Sequence, residues 1–140
     1  MQRRVNFWLN RFRLYTNWQV SDNVRVYAEG IYADTSSDGG TYAPRAIDEN
    51  YGDFLNMFVD VKLTDSTAVR VGRQELLYGA QRVVSPLDWA NTRRTFDGVK
   101  VMYHGDNWNV DGFWTQFVPV DYDDRDESDP DIQFYGLYGT

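Results

Sequence analysis

Apolar and polar residues alternate in step along most of this chain. From Arg11 to Trp18, Phe12, Leu14, Thr16 and Trp18 share one side, and Arg11, Arg13, Tyr15 and Asn17 share the other. A period of two marks a β-strand, whose successive side chains point to opposite faces. Val20-Ser21-Asp22-Asn23 reads as a turn, because Ser, Asp and Asn bond their own backbone. A second run sets Val24, Val26, Ala28, Gly30 and Tyr32 against Arg25, Tyr27 and Glu29, and makes a hairpin with the first. Residues 33–53 read as a long polar loop carrying Ser36-Ser37-Asp38-Gly39-Gly40.

The third strand has Met57, Val59, Val61 and Leu63 against Asn56, Phe58, Asp60 and Lys62. A short turn at residues 64–67 leads to a fourth strand beginning Val69-Arg70-Val71-Gly72. The alternation then stops until Gly98, where Val99, Val101 and Tyr103 oppose Lys100 and Met102. His104-Gly105-Asp106-Asn107 is a tight turn. The sixth strand sets Val110, Gly112 and Trp114 against Asn109, Asp111, Phe113 and Thr115. An acidic loop from Pro119 to Asp131 follows, and a seventh strand starts near Ile132 and stops unfinished at Thr140.

Connections therefore run short, long, short, long, short, long. One face of the main strands carries no charge, and the other carries Arg11, Arg13, Arg25, Glu29, Asp60, Lys62, Arg70, Lys100 and Asp111. Segregation of short turns from long loops is what an outer-membrane barrel shows, with short periplasmic turns and long extracellular loops. Charges on its lipid face would cost about 2–4 kcal/mol each at the midplane. Trp18 and Trp108 beside short turns, and Tyr32 and Phe117 beside long ones, suit two aromatic girdles. A soluble sugar-binding β-sandwich alternates in the same way, its apolar face forming the core.

Composition narrows the classes. A net charge of −7 opposes a nucleic-acid partner. The absence of cysteine excludes disulfides and thiolate metal sites. No apolar run is long enough for a transmembrane helix, which leaves a barrel open because barrel strands score poorly on hydropathy. Met1-Gln2-Arg3-Arg4 leads straight into alternating sequence, with no secretory signal peptide. An even strand count with both ends periplasmic needs a further strand upstream. The expectation is one partial barrel domain over residues 1–140, an all-β, antiparallel, up-and-down fragment of about seven strands with N- and C-terminal strands missing.

The interruption from Gly72 to Lys100 is long, charged and punctuated by Gly and Pro, as functional loops are. Its residues Gly72-Arg73-Gln74-Glu75-Leu76, Tyr78-Gly79, Gln81-Arg82, Ser85-Pro86-Leu87-Asp88-Trp89, Asn91-Thr92 and Arg94-Thr95-Phe96-Asp97-Gly98-Val99 resemble the alginate-export family of outer-membrane channels. Asp60-Val61-Lys62-Leu63 and the hairpin of strands five and six add weaker likeness. The resemblance implies a monomeric barrel in the bacterial outer membrane, among lipid and lipopolysaccharide, with an arginine-rich pore for an anionic polysaccharide such as alginate or another uronate polymer. Passive uptake of a different small substrate by a porin of the same fold is the alternative.

Arg73, Arg82, Arg93 and Arg94 are the first pore candidates, because a planar guanidinium grips a carboxylate bidentately and cationic rings select anions. Glu75, Asp88 and Asp97 are expected to hold them in place, or else these pairs only pin the loop to the wall. Arg11, Arg13, Arg25, Arg70 and Lys100 extend the positive field along the wall, and Tyr15 and Tyr27 project beside them. The segment is expected to fold over or into the lumen, its arginines facing the pore. The acidic run of Asp121, Asp123, Asp124, Asp126, Glu127, Asp129 and Asp131 lacks the EF-hand spacing, so a solvated loop is expected rather than a Ca²⁺ site, and no cofactor. His104 is the sole histidine and has no triad partners, and no glycosidase-like carboxylate pair stands out, so no enzyme is expected.

Overall fold

The structure, a computed structural model, describes residues 6–37 and 42–140. The start read above for a signal peptide, and the glycines of the second connection, lie outside the described residues. The chain is all-β. Seven strands, β1 (Phe7–Ser21), β2 (Val24–Ser37), β3 (Asn50–Lys62), β4 (Thr67–Gln74), β5 (Thr95–His104), β6 (Asn109–Val118) and β7 (Gln133–Gly139), form one antiparallel sheet in chain order. Each strand pairs with the next, so every contact between neighbours is an up-and-down hairpin.

The strands are longer than the alternation alone outlines. β2 continues to Ser37 and β3 begins at Asn50, so the loop expected over residues 33–53 shrinks to residues 38–49. β5 begins at Thr95, which makes Phe96 and Asp97 strand residues. β7 runs alongside β6 to its first residue, where Asn109 and Thr140 exchange two 2.9 Å backbone hydrogen bonds. A bulge interrupts β2–β3: Glu29 pairs with Asn56 but Gly30 pairs with Phe54, leaving Leu55 as the extra residue.

Side chains alternate across the sheet as period two requires. Val59, Val71 and Val99 line up on one face, and Arg25, Asp60, Arg70 and Lys100 line up in a single cross-strand row on the other. Gly72 and Gly98 face each other across β4–β5. A Cβ at Gly98 would fall 2.3 Å from the Trp114 carbonyl, and Gly72 has φ +126° with the Met57 carbonyl equally near. Only glycine permits that approach.

The position of the core decides between sandwich and barrel wall. Among the described residues no second sheet covers the apolar face, on which Leu14 is 69 % exposed and Trp18 64 %. The buried cluster of Leu76, Val84 and Phe96 lies instead on the charged side, joined by Tyr78, Phe113, Phe117 and Phe134. Phe117 thus belongs to the inner cluster and not to an outer aromatic girdle: by alternation it shares a face with Phe113 and Thr115. Trp18, Trp108 and Tyr32 remain exposed.

Candidate functional site

Residues 75–94 connect β4 to β5 by folding back over the charged face. The segment has an apolar foot and a polar one. At the first, Leu76 is fully buried and Val84 nearly so, against a lattice of rings from β5, β6 and β7. Phe113 and Phe134 lie 5.2 Å apart, Phe96 and Phe134 5.8 Å, and Tyr78 stacks on Phe113 at 5.4 Å. Offset and edge contacts of this kind add to simple burial. Gly79, at φ +53°, turns the chain against Tyr138.

At the polar foot, the Asn91 amide donates to the carbonyls of Asn10, Asp34 and Asp48 at 3.1, 3.3 and 2.7 Å. The Thr92 N–H donates to the Ile47 carbonyl at 2.9 Å, and Arg11 donates to Ala90 O at 3.0 Å. The segment therefore bridges the face from β7 to β1.

Between the feet lies a continuous ionic network. Arg93, its side chain 8 % exposed, donates to both Glu75 and Asp88. Arg11 stands 3.8 Å from Asp88. Asn56 donates to Glu75 at 3.3 Å and to Glu29 at 2.9 Å, and accepts from the Glu75 N–H. Glu29, 3 % exposed, also accepts from Arg13 at 2.6 Å and from Tyr27. A carboxylate so buried is tolerated only because it is multiply bonded.

A second network crosses the sheet nearer the short turns. Asp60 accepts from Arg25 at 2.6 and 3.1 Å and from Arg70 at 2.7 and 3.0 Å. The Arg70 guanidinium sits 3.7 Å over the Phe58 ring, a cation–π contact. Tyr15, Tyr27 and Phe58 stack in series, so both tyrosines pack within the wall. Lys100 lies 3.7 Å from Asp111, which also accepts from the Tyr78 hydroxyl at 3.0 Å.

The arginines of the segment part company. Arg73 shares a face with Val69 and Val71, pairing across to Met57 and Asp97. Sequence leads one to expect Arg73 to face the pore and Asp97 to hold it; β4 instead continues through Gly72 without losing register, and alternation turns Arg73 to the apolar face. There it binds Asp97 bidentately at 2.9 and 3.0 Å and donates to the carbonyl of Asp126 at 2.9 Å. Arg94 lies 5.9 Å from the Phe117 ring and lines a pocket of about 270 Å³ with Phe96, Phe134 and Gln133. Arg82 is exposed and lines a groove of about 420 Å³ beside Tyr138. Among the described residues, neither Arg82 nor Arg94 has a carboxylate within 4.0 Å.

The acidic loop is solvated at Asp121, Asp123, Asp124, Glu127 and Asp131, but not at Asp126. Asp126 is buried, accepts from Asn50 at 2.8 Å and Asp121 N at 2.7 Å, and donates its N–H to Asp53 at 2.6 Å. Burial, the largest influence, pushes its carboxyl above the ordinary range. Among the described residues no acidic or histidine group has metal-site geometry. His104 only ties its backbone N–H to Ser66 at a short turn.

A protein-family model described as alginate export matches residues 1–140. The chain belongs to the alginate export family. No curated protein and no solved structure matches it. At family level, and with an all-β meander, it is an alginate-export protein of outer-membrane, β-barrel type. Glu29, Asp60, Asp111 and Asn56 were not singled out from sequence as site residues. The first three were visible as charges on the inner face; Asn91 was quoted only within the family resemblance, and neither asparagine's partners could be read, because they lie far along the chain.

Proposed function

We propose that the charged face lines the pore of a passive, anion-selective outer-membrane channel, and that its solute is an anionic polysaccharide of the uronate class. The supporting observation is a charge inversion. The chain carries a net charge of −7. Yet the face under residues 75–94 gathers eight cations, Arg11, Arg13, Arg25, Arg70, Arg82, Arg93, Arg94 and Lys100, against five carboxylates, Glu29, Asp60, Glu75, Asp88 and Asp111.

The roles divide by pairing. Arg13, Arg25, Arg70 and Arg93 are held by carboxylates and set a fixed positive field. Arg82 and Arg94 keep their donors available, and Arg94 beside Phe117 and Phe134 offers a carboxylate grip next to apolar ring faces. Partial neutralisation keeps binding weak enough for release, which conduction requires. The chemistry is recognition and passage, with no bond made or broken.

Planar-bilayer conductance of the full chain tests this. The channel is expected to be anion-selective, and Arg82→Glu with Arg94→Glu to shift the reversal potential toward cations. Arg73→Glu, on the opposite face, is expected to leave selectivity alone. An unchanged reversal potential in the double variant would remove those two residues from the pore.

A further inference from the structure

The five tryptophans of the chain are not placed alike. By alternation Trp8, Trp18 and Trp114 stand on the apolar face, and Trp108 lies in the short turn between β5 and β6. Bilayer contact accounts for exposed indoles at those places. It does not account for Trp89, which is carried by residues 75–94 over the charged face and is 74 % exposed. An indole is one of the largest apolar surfaces a residue can leave in water, and its faces carry the negative part of a quadrupole.

The backbone holds this ring out on a built turn. Leu87 takes φ +55°, a left-handed conformation rare for a bulky side chain. Such strain persists only where the surroundings over-determine it. Here the Leu87 N–H donates to Ser85 Oγ at 3.1 Å, the Ala90 N–H to the Leu87 carbonyl at 2.9 Å, and the Arg94 N–H to the Pro86 carbonyl at 2.9 Å. Asp88 and Trp89 therefore occupy the tip of a tight turn. Arg11 clasps that turn from the sheet, 3.8 Å from Asp88 and bonded to the Ala90 carbonyl at 3.0 Å. Asp88 turns to Arg93 and Arg11, Ala90 is buried, and the indole between them is left exposed. Arg11 lies ten residues before Ser21, where β1 ends at a short turn. At about 3.4 Å per residue and a tilt of about 40°, the turn stands roughly 26 Å above the short-turn end, against an apolar band about 25 Å tall. Trp89 is thus at the outer mouth of the charged face.

We propose that Trp89 is a stacking platform for a pyranose ring of a polysaccharide at this mouth. The inference rests on the charged face lining a polysaccharide passage, and deepens it by naming what meets the sugar itself. Charge is balanced around the turn, where Arg11 and Arg93 stand against Asp88 and Glu75. The platform therefore does not select by charge; it selects by shape. One face of a pyranose presents C–H groups, which the electron-rich face of an indole attracts. The rim of the sugar presents hydroxyls, and the exposed Asp88 carboxylate and the remaining Arg11 N–H donors are within one residue of the ring to meet them. A small inorganic anion has no such face, so the platform favours a polysaccharide over a small anion.

The test is planar-bilayer conductance of the full chain with β-linked hexamers added, one of mannuronate and one of mannose. Both are expected to interrupt the wild-type current. Trp89→Leu shortens the residence time of both hexamers by about tenfold. Trp89→Tyr restores most of it, because a ring face returns. Arg82→Glu with Arg94→Glu shortens residence of the mannuronate hexamer more than that of the mannose hexamer, which separates charge from stacking. Residence times in Trp89→Leu equal to wild type overturn the proposal, and so does a wild-type current that neither hexamer interrupts. A lowered urea midpoint in Trp89→Leu with unchanged residence times would show that the ring packs against protein, and overturns it too. A wild-type current without anion selectivity in potassium chloride, with Trp89→Leu still shortening both residence times, overturns the charged-pore reading and supports the platform.

Discussion

Two long connections leave the same end of the sheet and settle on opposite faces. Residues 75–94 cross the charged face; residues 119–132 turn to the rim of the apolar face. The first carries its own apolar anchors, Leu76 and Val84, and lands on a ring cluster built by β5–β7. The second has no such anchors, and is tied down by hydrogen bonds, through the backbone and carboxylate of Asp126 and through the Asp129 N–H to the Phe117 carbonyl. Burial of apolar area at roughly 25 cal/mol per Å² is additive and tolerant of geometry. A single hydrogen-bonded anchor nets only about 1 kcal/mol per bond. The segment proposed to line the pore is therefore the firmly held one, and the acidic loop the loosely held one.

The largest expected effect comes from the buried end of the first connection's network. Glu29→Ala would leave the Arg13 guanidinium and the Asn56 amide without their shared acceptor beneath Glu75. Breaking a buried ion pair costs about 3–5 kcal/mol. Urea unfolding in detergent should show that loss, and Arg73→Ala, whose Asp97 partner is 30 % exposed, should lose less. Equal losses would erase the distinction between the two faces.

Next is the apolar foot. Leu76→Ala is expected to cost about 2–5 kcal/mol, since Leu76 is fully buried. The matching change in the second connection, Asp126→Ala, is expected to cost about 1–3 kcal/mol, the range for leaving the Asn50 donor unsatisfied. Limited proteolysis resolves the two: cleavage between residues 80 and 90 should appear only with Leu76→Ala, and cleavage between residues 121 and 129 only with Asp126→Ala. Cleavage of both loops in either variant would mean that they dock as one unit.

The sequence shows the strands better than it shows this asymmetry. Period two located the first six strands and assigned Arg25, Asp60, Arg70 and Lys100 to one face, because alternation is a local property of the backbone. It misassigned Arg73 because Gly72 was read as the point where the strand dissolves. In the structure, Gly72 and Gly98 let β4 and β5 pair on to Gln74 and Phe96, so the count of two carries through. Phe117 was misplaced for the converse reason: its nearness to a loop was weighed above its parity with Phe113. Of the networks, only the pairing of Glu75, Asp88 and Asp97 with arginines of their own segment was suggested by sequence; the distant partners were not. Asn91 meets Asn10, and Asn50 meets Asp126, across separations that no local pattern encodes.

Acid separates the two connections most finely, because a carboxylate at the landing site of the first and the anchoring carboxylate of the second shift in opposite directions. Asp48, in the connection that receives Asn91 and Thr92, is held down to about 2, chiefly by the Arg45 guanidinium and further by Tyr42 and the Arg45 N–H. Its folded state prefers the charged form, so its contribution is complete above about 4 and drains away as pH falls toward about 2. Asp126 is raised by burial, and nearby Asp53 adds to this while Asn50, Asp121 N and Arg73 oppose it. Its folded state prefers the proton, so docking of its loop strengthens as pH falls from above its raised value toward the ordinary one. Hydrogen exchange, corrected for the intrinsic pH dependence of the amide rates, should therefore diverge between pH 6 and pH 2. Peptides covering residues 86–94 should lose protection while those covering 121–129 gain it. Both effects are small beside Glu29→Ala and Leu76→Ala, and Asp48→Asn and Asp126→Asn should each flatten one arm only. Parallel loss of protection in both peptides would show that acid loosens the sheet as a whole, and that the two anchors do not act separately.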